Sequence, residues 1–195
     1  MLRRIVLLGS VASALLLPGC GLFKTRNPEK PTAPSNCPPR TTADNLVLTI
    51  RQSYGDSTAV TCYTSILDPT FTFHPDPADS LEDPMPFSTP WTQSVESQVA
   101  TNVASAALFC HTVLDSEYAT RYVSPDQKTQ VRYYAYHLLF RPKSSPDTTR
   151  YQGRADITFQ QGADAFWTLT VWVDKRDASG LDTWGRLRSL YRVGF

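Results

Sequence analysis

Two hydrophobic periods divide the chain: from Thr42 the apolar residues recur every three to four positions, and from Thr112 every two. Ala43, Leu46, Val47, Ile50 and Tyr54 mark one face of a helix, with Thr42 as N-cap and Gly55 just past its end. Asp56 caps a second helix striped by Ala59, Val60, Tyr63, Ile66 and Leu67, which Asp68-Pro69 terminates. Across Thr70 to His74, Phe71 and Phe73 alternate with polar neighbours, as in a half-buried strand. Residues 75–90 gather prolines with Asp76, Asp79, Glu82 and Asp83 and predict an irregular acidic loop. A third helix, from about Thr92 to Cys110, turns Val95, Val99, Val103, Ala106 and Cys110 to one side.

The period then changes to that of strands. Thr112 to Val123, Thr129 to Arg141, Thr148 to Gln160 and Ala165 to Lys175 predict four long strands. Turn signals separate them at Ser124-Pro125-Asp126, Ser145-Pro146-Asp147 and Gln161-Gly162-Ala163-Asp164, so neighbours run antiparallel. Val131 to Phe140 is apolar or aromatic on both faces and belongs inside the sheet. Tyr151, Gly153, Ala155, Ile157 and Phe159 share one face of the next strand, and Trp167, Leu169, Val171 and Val173 one face of the last. Leu181 to Phe195 fits a strand or a short helix equally poorly. The expected architecture is α+β, with three N-terminal helices packed on one face of a curved antiparallel sheet.

Ahead of this domain the pattern is that of an export signal. Arg3 and Arg4 precede a short apolar run, broken by Gly9 and Ser10, that ends at Pro18-Gly19-Cys20. The run is too short to span a hydrocarbon core of about 30 Å as a helix. Leu17-Pro18-Gly19-Cys20 resembles the bacterial lipobox. The resemblance implies palmitate-type acylation of Cys20 and a membrane anchor, since acyl chains contribute about 0.8 kcal/mol per buried CH₂. Gly21 after the cysteine implies sorting to the outer membrane if the organism is Gram-negative. The organisation expected is a signal peptide over 1–19, lipidated Cys20 with a Pro-rich tether over 20–41, and one domain over 42–195.

Charge changes the picture by exclusion. The chain holds 19 Lys and Arg against 18 Asp and Glu, and losing Arg3 and Arg4 with the leader leaves a slight negative excess. Its basic residues are scattered rather than striped, which excludes a nucleic-acid footprint. Cys37, Cys62 and Cys110 match no zinc or redox spacing. An oxidising compartment permits a Cys62–Cys110 disulfide between two helical segments; the other reading leaves all three cysteines free, two of them buried.

The order of two short helices, a Phe-x-Phe strand, a further helix and long strands resembles the NTF2-like superfamily, including its SnoaL-like and ketosteroid isomerase-like members. The aromatic pattern Trp167-x-Leu169-x-x-Trp172-x-Asp174, followed by Thr183-Trp184-Gly185-x-Leu187, is similar to its C-terminal strands in uncharacterised bacterial lipoproteins. The resemblance implies a cone-shaped sheet around a pocket. Phe71, Phe73, Tyr134, Tyr136 and Trp167 are the candidate lining, although aromatics at strand spacing also serve as plain core.

His137 and Asp174 are the candidate acid–base residues, His137 on the central strand and Asp174 at a strand end where it also suits a turn cap. Serine-hydrolase elbows, Gly-rich phosphate loops and His-x-x-x-His pairs are absent from the sequence, and neither a metal nor a cofactor is expected. The functional expectation is a non-catalytic lipoprotein of the cell envelope that binds a small apolar ligand or an envelope protein. A small-substrate isomerase or hydratase, and a structural protein that forms homodimers through its sheet, are the alternatives.

Overall fold

The computed structural model describes residues 36–54 and 57–194. The signal segment, Cys20, the tether up to residue 35 and the Gly55-Asp56 helix boundary lie outside the described residues. α1 (Ala43–Gln52) starts at its expected cap, the Thr42 side chain accepting the Asn45 N–H at 3.2 Å. α2 (Ser57–Ser65) stops before Asp68-Pro69. β1 (Leu67–His74) follows and carries Pro69 within it, a position open to proline because β1 is an edge strand.

The acidic stretch is not irregular throughout. Asp76 caps a helix, α3 (Pro77–Glu82), accepting the Ala78 N–H, with Pro77 in the first turn where its missing N–H costs nothing. A 3-10 turn covers Met85–Phe87. α4 (Gln93–Ala106) ends four residues earlier than its periodicity predicts. β2 (Ala107–Glu117) begins at once, because pairing with the strand ahead satisfies its backbone. Cys110 is therefore a strand residue, not a helical one. The predicted strand over 112–123 is split, β2 ending at Glu117 and a two-residue β3 (Tyr122–Val123) resuming beyond it.

β4 (Thr129–Pro142), β5 (Thr149–Gln161) and β6 (Trp167–Lys175) fall where the alternation places them. The C-terminal segment is a helix, α5 (Trp184–Tyr191), capped by Thr183. The sheet runs β1-β6-β5-β4-β2, with β3 beside β4. It is antiparallel except where β1 joins β6 in parallel. Helices lie on one face of this curved, unclosed sheet, the α+β cone that the sequence implies.

One irregularity decides what the cone contains. Thr158 faces Val171 but Phe159 faces Leu169, so β6 holds Thr170 as an extra residue, a β-bulge. Alternation resumes on the opposite phase. Trp172 and Asp174 turn inward, each fully buried, while Val171 and Val173, expected on the inner face, turn outward.

The cysteine pairing is also a correction. Cys62 is bonded to Cys37, with Cα atoms 5.2 Å apart, and Cys110 is a free thiol. The end of the predicted tether folds back over the domain, which brings Cys37 to α2. The Trp167 N–H donates to the Arg40 carbonyl at 2.8 Å, and Arg40 donates to the Ser65 carbonyl at 3.1 Å. For cysteines 25 residues apart, replacing both by Ser is expected to lower unfolding free energy by about 3 kcal/mol. Urea denaturation of the full chain checks this; an unchanged midpoint would mean that the bond merely follows the fold.

Candidate functional site

The inner faces of β4, β5 and β6 converge on side chains that the helices bring down from above. From α5 come Trp184, Leu187 and Arg188, at i, i+3 and i+4, all with no exposed surface. Trp184 is ringed edge-on by Tyr54 at 5.7 Å, Tyr136 at 5.5 Å and Trp172 at 4.8 Å between centroids. Its indole N–H donates to the Tyr54 hydroxyl at 3.2 Å. The middle of the cone is thus occupied by the protein's own C-terminal helix.

Arg188 is the centre of this packing. Its guanidinium lies over the rings of Phe73, Trp172 and Trp184 at 4.4 to 4.9 Å, and its Nε donates to Glu96 Oε1 at 3.1 Å. Glu96, on α4, is equally buried and accepts from the Tyr63 hydroxyl at 2.6 Å and the Trp91 indole at 2.8 Å. Burial works against the Arg188 charge, but Glu96 holds its pKa well above the usual value. Burial first, and the Glu96 charge next, pushes Tyr63 well above the usual phenol range. The two Nη nitrogens of Arg188 have no hydrogen-bond partner among the described residues.

A second polar group sits beside it. Tyr136 donates to Asp174 Oδ1 at 2.7 Å and accepts the Trp184 backbone N–H at 2.8 Å. Asp174 Oδ2 accepts the Gly185 N–H at 2.5 Å. Desolvation carries the Asp174 carboxyl up to about 6 despite the Arg188 charge and these hydrogen bonds. Room for the Tyr136 hydroxyl comes from Gly153, where a Cβ would stand 2.7 Å from it and 2.6 Å from the Lys175 carbonyl.

The acidic segment closes over α5 through ion pairs. Arg176, just after β6, donates to Asp79 Oδ1 and Glu82 Oε2, each at 2.8 Å, and Arg186 donates to Asp83 at 2.6 Å. Arg192 donates to the Pro86 carbonyl.

Of the residues singled out by sequence, Asp174 and Tyr136 meet inside the cone. Phe71, Phe73, Tyr134 and Trp167 are buried around them as core. His137 is not among them: it stands on the outer face of β4, half-buried, its Nδ1 3.3 Å from Asp115 Oδ2. Glu96 and Arg188 were not anticipated, yet both fall within apolar helical stripes, Glu96 with Val99 and Val103, Arg188 with Trp184 and Leu187. No cluster of three metal-ligating side chains occurs among the described residues.

Two recesses open at the edge of this packed centre. A groove of about 910 Å³ separates α1 and α2 from edge strand β2, lined by Arg51, Tyr54, Thr58, Cys62, His111 and Leu114 among others. Cys110 also lines it, its thiol pushed up to about 12 by burial. Another, of about 700 Å³, runs between His74, Phe87 and Trp91.

No protein-family model and no curated protein matches the chain. Solved structures do. A candidate aromatic ring hydroxylase from Novosphingobium aromaticivorans is similar over 70% of this chain and 87% of its own, at TM-score 0.53 and 13% identity. A candidate scytalone dehydratase from the same organism covers 73% of this chain and 91% of its own, at TM-score 0.53 and 8% identity. An NTF2-like superfamily protein from Salmonella enterica is matched at TM-score 0.46 and 13% identity, over 71% of this chain and 96% of its own. At such identities the likeness is one of fold.

Proposed function

We propose that an NTF2-like cone filled by its own side chains serves here as a non-catalytic binding domain, held at the cell envelope by a lipid on Cys20 and meeting a protein partner with its outer surface. The observation that carries this reading is the packed interior. Where a substrate chamber would open, Trp172, Trp184, Leu187 and Arg188 stand with no exposed surface. The polar groups there are engaged mostly with one another rather than with solvent. The groove beside β2 is the first surface to examine, since an edge strand presents unpaired backbone groups to an incoming chain.

The test places a photo-crosslinking residue at Thr58 or His111 of the full chain in its own cells, with exposed Leu81 on α3 as control. A single protein adduct from the groove positions, absent from the control and lost with Cys20→Ser, is expected. A small molecule retained by the purified protein, with no adduct from any surface position, would overturn the reading.

The second reading is an acid–base enzyme, motivated by Asp174 hydrogen-bonded to Tyr136 inside a fold shared with a candidate dehydratase. It requires α5 to leave the cone during turnover.

A further inference from the structure

The sheet has two edges, β1 and β2, and they are finished differently. At β1, Pro69 carries no N–H, the Phe73 N–H donates to the Trp91 carbonyl at 3.3 Å, and Thr72 forms a bridge with Thr92. The segment before α4 thus covers that edge, one of the ways in which native sheets avoid taking up a stray strand.

At β2 the cover stops short. The Leu114 carbonyl points away from β4 and accepts from Arg51 of α1 at 3.0 Å. Pairing with β4 is regular from Phe109 to Leu114, and in an antiparallel ladder the N–H and C=O of one residue share a side that alternates along the strand. Thr112 and Cys110 therefore turn their backbone groups outward with Leu114. Among the described residues nothing pairs with those N–H and C=O groups. Just before them, Leu108 and Phe109 are 60% and 43% exposed, so the open stretch of the edge begins on apolar surface.

Charge narrows what can lie there. The groove along this edge is lined by Arg51 and His111 and, among the described residues, by no carboxylate. Arg51 uses one donor on Leu114 and has no acidic partner among the described residues. The rest of its guanidinium fork suits a carboxylate. A second copy of this chain, seated groove to groove, would bring cations to cations with no carboxylate between them, so charge favours a different protein.

Resting on the reading that the groove beside β2 meets a protein, we propose that β2 takes an extended acidic segment of that protein as an added strand. The segment pairs with the Cys110 and Thr112 backbones and sets an Asp or Glu against Arg51. Main-chain bonds supply affinity in such an arrangement, and side chains supply the choice of partner. Arg51, already on the Leu114 carbonyl, marks where the added strand ends.

Mass spectrometry of the adduct formed at Thr58 or His111 of the full chain identifies the partner segment, and a synthetic peptide of that segment is then the probe. The peptide should contain Asp or Glu. Bound to the full chain, it should slow hydrogen exchange at the Cys110 and Thr112 amides about tenfold or more, while the His111 and Val113 amides, already directed to β4, stay unchanged. Arg51→Glu should weaken the peptide about tenfold or more, and a peptide with Arg in place of its carboxylate should bind that variant again. A peptide that leaves Cys110 and Thr112 unprotected, or that binds Arg51→Glu equally well, would overturn strand addition while a groove partner stands. A segment from a second copy of this chain would overturn it too. With no adduct at either position, strand addition falls together with the reading it rests on. Should Arg51→Glu not fold, the exchange of the wild-type Cys110 and Thr112 amides decides alone.

Discussion

Replacing Glu96 by Ala is expected to cost about 3–5 kcal/mol of unfolding free energy, enough to lower the melting temperature by roughly 10 °C or more. The loss comes from what remains behind. Arg188 would keep its charge with no exposed surface and no carboxylate at 3.1 Å, and the Tyr63 hydroxyl and Trp91 indole would lose their acceptor. Against a total stability of about 5–15 kcal/mol for a domain, that is a large fraction. The pair as a pair is worth less than its rupture. In Glu96→Gln with Arg188→Met, one amide oxygen still accepts hydrogen bonds and the cation is gone, so most of the loss should be recovered. Thermal melts of Glu96→Gln, Arg188→Met and the double variant form a double-mutant cycle. A Glu96→Ala protein melting within about 2 °C of wild type would show that water or a neighbour already screens Arg188.

Trp184→Ala is expected to destabilise by about 3–5 kcal/mol, because its ring has no exposed surface and is shared by Tyr54, Tyr136 and Trp172. Urea unfolding measures the loss, and a crystal structure of the variant should show a void in the middle of the cone. The same variant separates interior from surface. If it folds and its crosslinks from the groove persist, the partner does not depend on the filled centre. Crosslinks lost from a folded variant would place the partner's dependence inside the cone.

What the sequence made legible is what depends on period. The strands β4, β5 and β6, the cap at Thr42 and the inward Phe71 and Phe73 follow from spacing alone. The α3 helix was hidden by the prolines around it, although Asp76-Pro77 is a favourable cap and first turn. Simple alternation gives the wrong inner face of β6 beyond Leu169 because a bulge leaves no mark on hydrophobicity: Thr170 looks like any other strand residue until its partner strand is known. Asp174 was singled out by its aromatic neighbours, but its burial depends on that bulge. Arg188 escaped for a related reason. Read as a strand, Leu181 to Phe195 puts Trp184 and Leu190 on the face that carries Arg186, Arg188 and Arg192; read as a helix, it puts an arginine in an apolar stripe, a conflict that only Glu96, 92 residues away, resolves. Composition places Cys37 in a tether, because it is blind to a return contact such as that between Arg40 and Trp167.

The bond from Cys37 to Cys62 has a mechanical side as well. A pull on the chain from its N-terminal direction meets a covalent link at Cys37, so tension passes straight into α2 and on through β1. The stretch between the two cysteines, with all of α1 inside it, is short-circuited. Its hydrogen bonds and packing never enter the load path, and the first helix cannot be the element that yields under force.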